Sequence, residues 1–356
     1  MNRTKTSFPS SPRPPLTVAS LGGFGHSSCV FDDMLTMGND VRLTAMAPVY
    51  REENITGFSA HPIVSRDNPA LFSNTTELLS RARPDVAVIS TRLDLIANQV
   101  IDALAAGCHV IAEKPLAIDL PALRQIHEQW LRSECSLTAM LSMRSLPAFV
   151  IARDVYRQGA IGEVVAANAR KSYKWGMRPE WFADRSKYGG TFPWVGIHAL
   201  DMIHFVTGQR FVEAAAMQAN RGHSDFPGCE DVCAGIFRME GGGMATVSVD
   251  LFRPHSAQTY GDDWCRIVGT RGVIEANASQ GWCRLHADDS SPRELPLPKS
   301  PDPIFARFLQ GIRNDLLSTE TALTAFHLTD ACLTARDSAE SKQFLPIAPD
   351  CWNCPG

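Results

Sequence analysis

Three stretches of this 356-residue chain hold side chains whose type and spacing could do chemistry. In AEKPLA, Lys114 stands between Glu113 and Pro115. An ammonium at the end of a buried strand can stabilise a developing alkoxide or exchange a proton with a hydroxyl; alone it reads equally as a surface lysine. In YGGTFPWVGIHALD, His198 precedes Asp201 by three positions, so on a helix both lie on one face. An imidazole is the side chain best suited to accept a proton near neutral pH, although a buried histidine is often only packing. In SLGGFG, the run Gly22, Gly23, Phe24, Gly25 meets the G-x-G-x-x-G spacing at Gly22 and Gly25, with Ser20 at the first glycine position. Glycines admit a pyrophosphate close to the backbone, and a following helix offers its unpaired N–H groups to that anion.

The elements around these stretches decide whether they can meet. LTVASL (16–21) reads as a strand, SSCVFDDMLTM as a helix ended by Gly38, and VRLTAM (41–46) as a second strand. TTELLSRA is helical, DVAVIS (85–90) a buried strand, LIANQVIDALAAG a helix and CHVIAE a strand, with a further helix starting near Asp119 and Pro121. That alternation predicts right-handed βαβ units on a parallel sheet, with Gly22 to Gly25 between the first strand and first helix and Lys114 at a strand's carboxyl end. The second half holds longer strands, GEVVAANARKSY, FVEAAAMQA, DVCAGIFRM and GMATVSVDLF, with turns at EGGG and GTRG. The fold class expected is α/β: an N-terminal Rossmann domain (16–135) behind a disordered leader (1–15), then an α+β domain (136–356) with a large, mainly antiparallel open sheet. The helices near 302–340 are expected to pack back on the first domain.

Composition bounds the partners. With 44% hydrophobic and 20% charged residues and a net charge of −4, the chain reads as a soluble protein with no electrostatic reason to bind nucleic acid or an anionic membrane. No apolar run is long enough to span a bilayer, and ten scattered cysteines suit a reducing cytoplasm. Cys351 and Cys354 form a C-x-x-C without βαβ context, and no metal site is expected.

The glycine turn, AAGCHVIAEKPLA and the later GG…GIHALD helix together resemble the Gfo/Idh/MocA family of oxidoreductases over residues 16–340. MRSLPAF and RQGAIGEV resemble its passage into the second domain. The resemblance implies NAD(P) dependence, sugar, polyol or sugar-acid substrates, and a homodimer or homotetramer through the C-terminal sheet. It implies that Lys114 touches nicotinamide and substrate and that His198 is the acid/base. Gly22, Gly23, Phe24, Gly25, Thr91, Glu113 and Lys114 would contact the cofactor, and Arg144, Trp175, Trp194 and His198 the substrate. The residues depart from that pattern in three places. Ala47 and Pro48 stand where an acid should meet the ribose, while nearby Arg51 could meet a 2′-phosphate, which tilts the reading towards NADP. The fourth-strand loop after Thr91 lacks the family's proline and histidine. Trp194 replaces the aspartate four residues before the histidine, and it can stack on a sugar but not pass a proton. The expectation is a dehydrogenase acting on CH–OH groups. A non-catalytic nucleotide-binding sensor and an NAD-dependent glycosidase are the rival readings.

Overall fold

The computed structural model describes residues 14–58, 60–288, 291–299, 302–314 and 319–352. Most of the expected leader, and Cys354, lie outside them.

Six short strands, β1 (Leu16–Leu21), β2 (Val41–Ala47), β3 (Ala70–Leu71), β4 (Val86–Ile89), β5 (His109–Ala112) and β6 (Leu137–Ala139), form a parallel sheet in the order β3-β2-β1-β4-β5-β6. All four residues of β4 are buried. This is the pattern of a central strand with helices on both faces. Helices α1 (Ser27–Thr36), α2 (Pro62–Asp67), α3 (Thr75–Ala82), α4 (Leu93–Ala105) and α5 (Leu120–Arg132) connect the strands. Local signals start two of them: the Asn74 side chain accepts from the Glu77 N–H, and Asp119 accepts from the Ala122 N–H. Because β6 belongs to this sheet, the first domain continues past residue 135, where the sequence reading ended it.

The chain crosses through α6 (Pro147–Arg157) into nine strands: β7 (Val164–Tyr173), β8 (Phe211–Ala219), β9 (Val232–Met239), β10 (Met244–Asp250), β11 (Gly261–Gly269), β12 (Gly272–Asn277), β13 (Trp282–Ala287), β14 (Arg293–Glu294) and β15 (Leu345–Pro346). Their order is β14-β13-β12-β11-β7-β10-β9-β8-β15, with only the β7–β10 pair parallel. In β10, Ala245, Val247 and Val249 are buried while Met244, Thr246 and Ser248 are exposed, the period-two pattern of a sheet covered on one face. The covering helix is α8 (Ile197–Thr207), entered from the short α7 (Arg185–Tyr188) through a π-turn at Phe192–Gly196. The chain then returns to the first domain. From α9 (Ile304–Arg313), Phe305, Phe308 and Leu309 join Val30, Phe31 and Met34 of α1 in one apolar cluster. The long α10 (Thr319–Ser341) runs between the domains, and its Thr329 hydroxyl accepts from the Leu116 N–H beside Lys114.

Candidate active site

The turn after β1 is built around two glycines. Gly22 and Gly25 have φ of +87° and +85°, a region that side chains with a Cβ rarely adopt. A Cβ on Gly22 would sit 2.5 Å from the Ser90 carbonyl, and one on Gly25 would sit 2.1 Å from Glu113 Oε2. Both positions therefore exclude any other residue, which is the demand of a backbone cradle. Its N–H groups meet acceptors from neighbouring strand ends: Gly22 to the Ala47 carbonyl, Phe24 to the Ser90 carbonyl and His26 to Glu113. The Ser90 hydroxyl bonds to the Phe24 carbonyl.

A carboxylate does reach this turn, from the loop beyond Ala47 and Pro48. The loop after Ala47 folds back and brings in Glu53, which is 9% exposed. Its carboxylate accepts from the Val49 N–H (2.7 Å), the Thr91 hydroxyl (2.7 Å) and the Gly23 N–H (3.4 Å). Burial raises the Glu53 pKa, partly opposed by these hydrogen bonds. Arg51, on which the NADP reading rested, is exposed.

Glu113 and Lys114 leave the end of β5 into the same space. Glu113 is fully buried, and its carboxylate accepts from the His26 N–H (2.6 Å) and bonds to the His26 ring (2.9 Å) at the start of α1. Burial alone would raise its pKa, but His26 and Lys114 outweigh it and hold the carboxyl below its usual range. Lys114 is 2% exposed; its Nζ donates to the Trp194 carbonyl (2.7 Å), lies 3.2 Å from the centre of the Trp194 ring and is 3.7 Å from Glu113. Burial, with the Lys171 and Arg178 charges adding to it against Glu113, pulls its pKa down to about 7.

His198 reaches this group from the opposite domain. The π-turn and α8 are buried almost all round, so the imidazole is only 1% exposed. Its ring centre is 5.8 Å from that of His26, and its Nδ1 has no hydrogen-bond partner among the described residues. Burial, then Lys114, Lys171 and His26, push its pKa well below the ordinary histidine value, so it is neutral at pH 7. Lys114 and His198, both buried, belong to one cluster of side chains from the two domains: the Lys114 charge acts on His198, and the His26 ring lies against His198 and bonds to Glu113. Aromatic rings pack beside this cluster: Phe24 lies 5.0 Å from Trp181 and 5.7 Å from Trp194.

Two predicted residues stand elsewhere. Arg144 donates to Asp201 from Nε (2.8 Å) and Nη2 (2.5 Å), at the wall of a separate cavity of about 600 Å³ between α6, α8 and α9. Asp201 therefore anchors Arg144 and does not orient His198, although the two share a helix. Trp175 stacks on His223 with ring centres 3.6 Å apart, at the outer edge of the aromatic group. Sequence reasoning passed over three residues of the pocket. Glu53 was hidden by its distance from β2 and His26 by its place behind the glycines. Lys171 was hidden inside a strand, where it is fully buried and paired with Asp263 at 2.6 Å.

The parallel sheet, the glycine turn after its first strand and the second domain packed beside it are the architecture of a dinucleotide-binding oxidoreductase. Residues 51–139 match the oxidoreductase family with an NAD-binding Rossmann fold, and residues 149–275 match the GFO/IDH/MocA C-terminal domain. An oxidoreductase structure from Thermotoga maritima is similar over 93% of this chain and all of its own, with 33% identity and a TM-score of 0.86. The chain belongs to the GFO/IDH/MocA oxidoreductase family. It is 28% identical to 1,5-anhydro-D-fructose reductase from Ensifer adhaerens over 57% of its length, and the match spans 60% of that reductase. A levoglucosan dehydrogenase complex with NADH and levoglucosan shares the fold, with a TM-score of 0.77 at 16% identity over 94% of this chain and 99% of that one.

Proposed function

We propose that this protein is an NAD-dependent dehydrogenase that moves a hydride between nicotinamide and a secondary hydroxyl or keto carbon of a sugar-like substrate. The observation that carries the reading is that Lys114 and His198, from separate domains, are buried within electrostatic reach of each other, beside the His26 ring that follows the 22–25 turn. Names among the relatives point the same way, since both the reductase and the levoglucosan dehydrogenase act on sugar derivatives.

The residues present fit a dinucleotide. The N–H groups of Gly22, Gly23, Phe24 and His26 are taken up inside the protein, so a pyrophosphate would sit over the positive-φ turn and meet the first turn of α1, and ribose hydroxyls would donate to Glu53. A carboxylate there repels a 2′-phosphate, so the preference proposed is NAD over NADP. When bound, the cofactor supplies the hydride acceptor. His198, neutral because it is buried among cations, takes the hydroxyl proton. Lys114 Nζ leaves the Trp194 carbonyl and stabilises the alkoxide oxygen. Trp194 offers an apolar face to the sugar and excludes water. Copies of the chain assemble through the uncovered face of the large sheet, where Met217, Ile236 and Met244 are exposed.

The test is turnover with NAD and NADP, followed at 340 nm over polyols, aldoses and sugar acids. Reduction of NAD that His198→Asn abolishes supports the proposal. Cofactor binding with no turnover of any substrate refutes it in favour of the sensor reading. That rival draws on the closed aromatic wall over Lys114.

A further inference from the structure

Arg178 lies on the loop between β7 and α7 and takes no part in the proposed proton chemistry. Its Nε and Nη2 are shielded from solvent, yet neither has a hydrogen-bond partner among the described residues. Its guanidinium carbon sits 5.3 Å over the Trp175 ring and 5.3 Å over the Phe182 ring, so aromatic faces hold the group in place. The Nε and Nη2 edge is the pair of parallel donors that matches the two oxygens of one carboxylate.

The surroundings make that edge unusual. Phe182 lies 6.2 Å from Trp194, the ring over which Lys114 Nζ is held, so guanidinium and ammonium border one aromatic wall. The charge of Arg178 is felt at Lys114, and also at Tyr188 and Cys229. The other two cations of the pocket have counter-ions: Lys171 has Asp263 at 2.6 Å and Lys114 has Glu113 at 3.7 Å. Arg178 has no carboxylate within ion-pair distance among the described residues. Shielded donors left unpaired are costly, and an uncharged polyol would leave the charge uncompensated.

We propose that the substrate carries a carboxylate, which Arg178 grips through Nε and Nη2 beside the Lys114–His198 pair. This rests on the dehydrogenase reading and narrows its substrates to sugar acids and related hydroxy acids. A phosphate monoester is disfavoured, because its further charge and oxygens would need a second free cation, and Lys171 is already neutralised by Asp263.

The test pairs each acid with its uncharged counterpart: D-glucuronate with D-glucose, D-galacturonate with D-galactose, and D-gluconate with D-glucitol, with D-glucose 6-phosphate alongside. Binding is read from the tryptophan fluorescence of the full chain, since Trp175 touches Arg178, and turnover is read at 340 nm. The expected result is at least tenfold tighter binding of an acid than of its partner. That ratio should collapse in Arg178→Gln and partly return in Arg178→Lys. The melting temperature of Arg178→Gln should fall little, because the arginine loses only its contacts with the Trp175 and Phe182 rings and, among the described residues, no hydrogen bond or ion pair at Nε and Nη2. No acid binding, equal binding of acid and partner, a ratio unchanged in Arg178→Gln, or preference for the phosphate ester overturns the proposal. Arg178-dependent acid binding without NADH formation leaves the carboxylate site standing and removes the dehydrogenase reading. Turnover of neutral sugars with no acid preference does the reverse.

Discussion

Replacing Lys114 by methionine should stabilise the fold at low pH while removing activity. The ammonium is 2% exposed and its pKa falls from 10.5 to about 7, first through burial and then through the Lys171 and Arg178 charges. The unfolded chain therefore holds this proton at pH values where the folded chain has released it. The stability that neutral Lys114 allows is fully present above pH 10.5 and is lost as pH falls to about 7. At about 1.4 kcal/mol per pH unit, that interval is worth at most about 5 kcal/mol. Methionine fills nearly the same volume without the charge. It leaves the Trp194 carbonyl without its 2.7 Å donor and Glu113 without its neighbouring ammonium, which returns roughly 1–3 kcal/mol. Urea unfolding of both proteins at pH 6, 8 and 10 should then show Lys114→Met ahead by about 2–4 kcal/mol at pH 6, with the gap closing or reversing by pH 10. The same variant should lose on the order of 10²-fold or more in kcat, as expected when a charge that stabilises an oxyanion is removed. A stability difference that does not change with pH, or a variant less stable at pH 6, would refute the argument that burial controls this lysine.

Three further outcomes follow from the same geometry. Gly25→Ala places a Cβ at φ +85° and 2.1 Å from Glu113 Oε2, so it should cost roughly 1–3 kcal/mol in chemical denaturation and abolish cofactor-linked thermal stabilisation. Glu53→Gln keeps the shape of the side chain at the turn but removes the charge and one of the two acceptor oxygens, and the ratio of NADP to NAD affinity by calorimetry should rise about tenfold or more. Arg144→Met leaves the fully buried Asp201 without its partner; denaturation should show a loss of about 3–5 kcal/mol, with kcat per folded molecule retained.

The sequence made the backbone of this account legible because periodicity and caps act locally. TTELLSRA carries its own N-cap in Asn74 and appears as α3 with the expected bounds, and the alternation of residues 244–251 shows directly as the two faces of β10. The places of Lys114 and His198 in the fold were also legible, since one follows a strand end and the other a glycine pair. What escaped is what depends on the path of the chain in space. Glu53 reaches the glycine turn only because the loop after β2 doubles back, and no spacing rule announces that. Asp201 shares a helix face with His198, yet it serves Arg144, which arrives from the junction between the domains. Lys171 lies in a strand among small residues, where a charged side chain reads as solvent-facing, and only the packed sheet and Asp263 make it an internal cation. Strand β6, just past the expected end of the first domain, escaped for a related reason: it has three residues, too few for periodicity to identify.

The central claim is that the 22–25 turn, Glu53 and the Lys114–His198 pocket form one nicotinamide site. Its most direct test is an NADH titration followed by energy transfer from tryptophan to the dihydronicotinamide, since Trp181 and Trp194 lie 5.0 and 5.7 Å from Phe24 of the turn. The account predicts a saturable transfer signal that NAD competes away, that NADPH produces only weakly and that Gly25→Ala abolishes. A wild-type protein that gives no transfer with either reduced dinucleotide, or an equal signal from Gly25→Ala, would contradict it.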